Sequence, residues 1–240
     1  RGWASSVVVP LAALASTIVA VDISTIQQPV VQGDTPDCFP SSYVHTVVQT
    51  SGVVSSVHSD SFTMQSAAAA WSGIAVRTGV ADGLLSLIRV GDLLVINGTV
   101  VELAGMTALQ NVTAYEIMSR GNIVTAIQLK TGDLGTACSA AGEAYEGLLV
   151  TMQNAEVVSS AGACDAMIND GSSETLLSIG TGAQVMSITG IVYYLDSRYS
   201  VLPSFTSSVT FGEDQVPSPQ SPSPPPTPPP PIQPQAPPPP

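Results

Sequence analysis

The sequence predicts an all-β protein: two small β-barrels in tandem, preceded by an extended apolar arm and followed by a polyproline II tail. Three observations lead there. Across the middle of the 240-residue chain, short runs of Val, Ile, Leu and Thr are broken by Gly, Asp, Asn and Ser, with little of the 3.6-residue periodicity of an amphipathic helix. Part of that region recurs 92 residues later. Finally, fifteen of the twenty prolines lie in residues 217–240, where neither a helix nor a sheet ladder can form.

Residues 1–40 form the expected arm. Its core, residues 7–21, is the most hydrophobic run in the chain, Val-Val-Val-Pro-Leu-Ala-Ala-Leu-Ala-Ser-Thr-Ile-Val-Ala-Val. Three readings compete for it. A membrane helix needs about 20 apolar residues, and this run is shorter and holds Pro10. A signal-peptide remnant fits the hydrophobicity, with a single basic residue, Arg1, ahead of the run. The third reading is an extended segment that buries itself in a groove or along a sheet edge of a neighbouring subunit, with Val7, Val8, Val9, Leu11, Leu14, Ile18, Val19, Val21 and Ile23 as contacts.

The first barrel is expected over 41–130, a linker over 131–144 and the second barrel over 145–213. The repeat sets this division. Ile96-Asn97-Gly98-Thr99-Val100 and Val101-Glu102-Leu103 align with Ile188-Thr189-Gly190-Ile191-Val192 and Tyr193-Tyr194-Leu195, glycine on glycine and apolar on apolar. Upstream, Gly52-Val53-Val54 and Gly147-Leu148-Leu149-Val150 open the two units more loosely. Each copy then supplies about five strands, enough for a small closed barrel. Residues 214–240 are the tail, expected as a solvated rod of about 3.1 Å per residue that spans distance and carries no catalysis.

Charge excludes one class of partner. Eighteen acids face six bases, a net charge of -12, and a nucleic-acid surface needs clustered Lys and Arg to release counterions. With only 10% charged residues, solubility is expected to come from glycans or from burial of surface in an assembly. Both point outside the cell, to a secreted or cell-surface location. Cys38, Cys138 and Cys164 fit that compartment. Three cysteines allow three single disulfides; Cys38 with Cys138 is favoured because both lie in loop-like stretches beside domain ends. Two sequons, at Asn97 and Asn111, are candidate N-glycosylation sites.

Two resemblances attach to specific residues. Trp71-Ser72-Gly73-Ile74-Ala75-Val76, Val90-Gly91-Asp92-Leu93-Leu94-Val95-Ile96-Asn97-Gly98-Thr99-Val100 and Gly105-Met106-Thr107-Ala108-Leu109 resemble the OB-fold domains that precede the endonuclease/exonuclease/phosphatase domain of secreted bacterial nucleases. The second unit, from Glu146 through Ile168-Asn169-Asp170-Gly171 to Pro203, is similar to the second OB domain of such tandems. This implies two OB-like barrels over about residues 45–212, without the nuclease domain itself. The tail resembles the hydroxyproline-rich glycoproteins of green-algal walls. That implies hydroxylation and short sugars, most of all at Pro224, Pro225, Pro226, Pro228, Pro229, Pro230 and Pro231.

Catalytic and metal sites find little support. His45 and His58 are the only histidines, and no nucleophile elbow accompanies them. Asp165, Asn169, Asp170 and Glu174 invite a calcium loop, but Asn169-Asp170-Gly171 reads first as a tight hairpin turn. Trp71 reads as a core or rim residue, and Tyr193, Tyr194 and Tyr199 as cross-strand packing. No cofactor, no enzymatic activity, no nucleic acid and no membrane span are expected. The function that follows is an extracellular structural glycoprotein, a subunit of a helical filament assembled head to tail through its arm. The alternative is a secreted module for wall polysaccharide, with Trp71, Tyr193 and Tyr194 exposed on one face and the tail as a spacer. A noncatalytic fragment of a secreted nuclease is a third reading.

Overall fold

A computed structural model describes residues 18–29, 31–33, 37–78, 83–160, 166–178, 185–195, 197–203 and 209–211. Val7, Val8, Val9, Leu11, Leu14, Cys164, Asp165 and the tail prolines Pro224 to Pro231 lie outside the described residues. The protein is mostly β.

The first sheet contains β1 (Val19–Ala20), β2 (Val47–Val57), β3 (Ser61–Gln65), β4 (Gly73–Arg77), β5 (Leu93–Leu103) and β6 (Met106–Ser119), with short helices α1 (Ile23–Gln27) and α2 (Leu84–Leu87) between them. The order β2-β3-β4-β6-β5 returns to β2 through a β2–β5 pairing, which makes a closed five-stranded barrel. One pairing in the ring, β4 with β6, is parallel. Strand β5 shows why these residues form this element. Its burial alternates strictly from Leu93 to Val100, and Leu94, Ile96 and Val100 enter the core with Val48, Val54, Phe62, Met64, Ile74 and Leu109. The β5–β6 hairpin turns on Ala104 and Gly105, both at positive φ (56° and 92°), as a two-residue turn matched to strand twist requires. At Asn111, also at positive φ (51°), β6 bulges against β5, and asparagine tolerates that conformation better than most residues.

The second sheet contains β7 (Ile127–Gln128), β8 (Leu149–Ser160), β9 (Ala166–Asn169), β10 (Glu174–Leu177), β11 (Val185–Leu195), β12 (Arg198–Pro203) and β13 (Val209–Phe211). Helices α3 (Thr131–Leu134) and α4 (Ala140–Glu143) lie between β7 and β8. Its strands follow the same cyclic order, β8-β9-β10-β12-β11 and back to β8, again with one parallel pairing, β10 with β12. The repeat seen in the sequence occupies one station in both sheets. Val48 faces Val19 on one side and Gly98 on the other; Val150 faces Ile127 and Gly190 in the same way. Space requires glycine at 190, where a Cβ would meet the Leu202 carbonyl oxygen at 2.4 Å; at Gly98 a Cβ would sit tight against the Gln110 carbonyl oxygen, at 3.3 Å.

Two boundaries shift from the sequence reading. From residue 18 onward the expected arm belongs to the body: β1 pairs with β2, and Ile23 and Ile26 are fully buried in the first core. Ile23 is therefore not a contact for a neighbouring subunit, and Val21 packs against the same core. An apolar side chain is drawn to the nearest closed core, and α1 places Ile23 and Ile26 three positions apart, on one side of a helical turn. Ile18 and Val19 remain exposed, each at 47%. The second unit likewise begins before the expected linker, because β7 pairs with β8.

Candidate functional site: the junction between the barrels

The two units meet backbone to backbone. A Cβ built on Gly73 would lie 2.4 Å from the carbonyl carbon of Gly147, so only glycine permits this approach. Around it the Trp71 amide donates to the Ala144 carbonyl (2.6 Å), the Leu149 amide to Gln65 Oε1 (3.3 Å) and the Thr107 amide to Glu146 Oε1 (2.8 Å). Gln27 Nε2, from α1, donates to the Gly73 carbonyl at 2.6 Å. Cys38 and Cys138 form a disulfide, with Cα atoms 5.5 Å apart. Cys38 precedes the first barrel yet is buried in the core of the second, beside the Tyr199 hydroxyl at 3.3 Å.

Three glutamates converge on this junction from different elements. Glu102, near the end of β5, accepts from the Ser41 amide (2.9 Å) and from Thr107 Oγ1 (2.7 Å). Glu143, closing α4, accepts from the Tyr199 hydroxyl at 2.8 Å. Glu146, between α4 and β8, holds the Thr107 amide. Each carboxyl keeps one buried oxygen without a hydrogen-bond partner: Glu102 Oε2, Glu143 Oε1 and Glu146 Oε2. Burial raises the pKa of all three. For Glu143 burial outweighs the Tyr199 hydrogen bond, and with repulsion from Glu102 it brings the carboxyl to about 7. Glu146 is raised well above the usual carboxylate range by burial and then by Glu143 and Glu102, with only the Thr107 amide opposing. In Glu102 burial prevails over its bonds from Ser41 and Thr107. A bare buried carboxylate oxygen is expensive, so the junction favours neutral carboxyls.

A crevice of about 320 Å³ is lined by the apolar Ala75, Leu103, Met106, Ala108 and Tyr193 and by Asp60, Ser61 and Arg77. Arg77 pairs with Asp60 at 3.4 Å across an exposed edge. His58 packs edge-on against Tyr193, ring centroids 6.1 Å apart, and its Nε2 lies 3.1 Å from Ser56 Oγ. Burial depresses the His58 pKa against the pull of Asp60. Burial, with Asp60 adding to it, lifts the Tyr193 hydroxyl to about 12. At neutral pH both rings are therefore uncharged, and the crevice offers apolar floor more than reactive groups.

The residues singled out in the sequence are dispersed. Tyr194 is 1% exposed inside the second core, its ring 4.7 Å from that of Tyr199, while Tyr193 faces the crevice and Trp71 is half-buried at the junction. Strand alternation explains the split, since adjacent residues of β11 point to opposite faces. Trp71, Tyr193 and Tyr194 thus form no common stacking face, which corrects that expectation of the glycan-binding reading. His45 sits at positive φ (68°) beside Glu102 in a second crevice. Asp170 is committed to structure: its carboxylate accepts from Thr131 Oγ1 (2.7 Å), the Thr131 amide (3.3 Å), Ser172 Oγ (2.5 Å) and the Ser172 amide (3.1 Å). Against the upward push of burial, these bonds bring its pKa down to about 2. Asn169 ends β9 opposite Glu174, its Oδ1 accepts from the Gly171 amide at 2.7 Å, and Gly171 has φ 94°, so the β9–β10 hairpin turns over the four residues 170–173 that Asn169 opens. Among the described residues no group of three His, Cys, Asp or Glu side chains could hold a metal ion, and no helix is long and apolar enough to cross a membrane.

Sequence reasoning missed the acid trio. Its members sit on three elements with no common motif, and the available signal was weak: three glutamates placed among apolar residues and glycines in a chain poor in bases. No protein-family model matches this chain, and no curated protein matches it.

Proposed function

We propose that this chain is the subunit of an extracellular filament, assembled head to tail through the apolar residues ahead of β1, with a glycosylated proline-rich tail along or outside the polymer. We infer further that both units are OB-type barrels; the supporting observation is their common cyclic strand order with a single parallel closure. The junction carries the filament reading. A regular helical repeat multiplies any slack within the subunit along its length, and here two barrels are fixed by a backbone contact too close for a Cβ, by buried hydrogen bonds and by a disulfide. The disulfide also suits an oxidising compartment. The exposed Ile18 and Val19 continue the apolar run of the preceding residues to the surface of the body.

Electron microscopy of the native secreted material tests this, together with a chain lacking residues 1–17. That deletion spares Ile23 and Ile26, so the body keeps its core. The expected result is regular filaments from the full chain and folded monomers from the shortened one. Isolated monomers of the full chain, seen under native conditions, overturn the proposal.

A further inference from the structure

We propose that the junction between the barrels is a proton-operated latch: it stays closed while Glu102, Glu143 and Glu146 hold their protons and opens when they lose them, with both barrels still folded. Geometry supplies the latch. Thr107 joins two of the acids, its Oγ1 donating to Glu102 Oε1 at 2.7 Å and its amide to Glu146 Oε1 at 2.8 Å. Tyr199 holds the third, donating to Glu143 Oε2 at 2.8 Å. Glu102 and Thr107 belong to the first barrel, and Glu143, Glu146 and Tyr199 to the second unit, so the cluster spans the contact. Each carboxyl also keeps one buried oxygen without a partner, and Glu146 is only 1% exposed. An ionised carboxylate in that setting has neither water nor a counter-charge.

The groups around the cluster do not offset its charge. From the segment ahead of β2, Asp37 adds repulsion at Glu102, while exposed His45 lines the crevice at Glu102 without an ion pair to it. From β11 and β12 come the hydroxyls of Tyr194 and Tyr199, both raised by burial and by the neighbouring acids, and so neutral. The Cys38–Cys138 disulfide does not titrate, and Gln27 of α1 is uncharged. Among the described residues the ion pairs of Arg77 with Asp60 and of Arg120 with Asp92 leave these glutamates out.

In the closed junction burial raises all three carboxyls, Glu143 to about 7 and Glu146 well above the usual range; opened to water, they return toward 4.5. The closed form is thus fully favoured below about pH 4.5. Its advantage then falls about tenfold per pH unit for each proton that opening releases, as pH climbs to and through 7. Opening of this kind can leave the barrels intact. Apart from the disulfide, the units are joined covalently by residues 120–126, which lie outside any helix or strand and expose Ile123 at 90%. The rigid subunit invoked for the filament is then the form of acidic to neutral pH.

The test is hydrogen exchange of the natural chain from pH 5 to 7, corrected for the intrinsic pH dependence of amide exchange. It compares the amides of Trp71, Thr107 and Leu149, which donate across the contact, with those of Ile96 and Ile188 in the barrel walls. Protection at the junction is expected to fall by more than about tenfold per pH unit, the mark of two or more protons released per opening, and to stay below that of the walls throughout. Glu143→Gln with Glu146→Gln removes two titrating groups and keeps their shape, and is expected to bring that slope to about tenfold or less. Three results overturn the latch and leave the filament reading standing: junction amides that exchange no faster than wall amides, a slope of about tenfold or less in the natural chain, or a steep slope that survives the double substitution. The first two are read on the natural chain, whether or not the variant folds.

Discussion

Gly73 and Gly147 face each other so closely that neither can carry a side chain: a Cβ on Gly73 would lie 2.4 Å from the Gly147 carbonyl carbon, and one on Gly147 2.8 Å from the Ile74 nitrogen. The obstruction on both sides is backbone, which cannot swing away as a side-chain tip can. Gly73→Ala should therefore force the barrels apart, at a cost of roughly 2–3 kcal/mol by analogy with overpacked cores. Thermal unfolding measures it. An unfolding temperature equal to that of the natural chain would show that the two barrels do not hold this contact in solution.

Stability should fall as pH rises through the weakly acidic range. Glu102, Glu143 and Glu146 have carboxyl pKa values raised in the folded state, from an unfolded value near 4.5 to about 7 for Glu143. Between those values the folded chain holds protons that the unfolded chain has released. The stabilisation is thus complete below about pH 4.5 and is lost as pH climbs toward and through 7. Asp170 works oppositely but lower, losing its contribution only as pH falls from 3.8 toward 2. Unfolding temperatures from pH 4 to 8 are expected to decline, and Glu143→Gln to flatten the decline; a rise across that window contradicts the buried acid cluster.

The parts of the fold legible in the sequence are those where a local pattern has one physical meaning. Gly98 and Gly190 recur at the same station of the two sheets, where a Cβ would collide with backbone at Gly190 and sit tight against it at Gly98, and the apolar alternation around Gly98 is the barrel wall. Asn169-Asp170-Gly171 was readable as a turn for the same reason. The site was not legible, because it is built by distance. Glu102, Glu143 and Glu146 come together only when the barrels dock, and nothing local marks Ile23 as serving its own core instead of a neighbour's groove. Tyr193 and Tyr194 look alike as neighbours, yet strand alternation sends one to the crevice and the other into the core.

Breaking the Cys38–Cys138 disulfide should both destabilise the chain and release the segment around Cys38 from the second core. The bond closes 100 residues of chain, a loop long enough that entropy alone predicts a loss of about 4–5 kcal/mol, of which natural disulfides commonly deliver about 2–4. Cys38→Ser with Cys138→Ser is expected to lower the unfolding temperature clearly. Hydrogen exchange should speed up at residues 37–41 and at Tyr199, which Cys38 touches. Unchanged exchange there would show that the segment is held without the bond.

The two sequons should differ in use. Asn111 is exposed, on a bulge at positive φ, where an oligosaccharide has room. Asn97 is half-buried in mid-strand, its Oδ1 accepting from Gln49 Nε2 at 3.0 Å, and its backbone is paired on both sides, to Gln49 and to Ala114. A sugar on Asn97 would have to displace that hydrogen bond and stand out of a packed wall. If the chain is secreted as proposed, enzymatic deglycosylation in heavy-oxygen water followed by peptide mass spectrometry of the native protein is expected to mark Asn111 and leave Asn97 unmodified. A glycan at Asn97 would mean that the sugar is added before this strand is in place, and that the Gln49 contact is dispensable for folding.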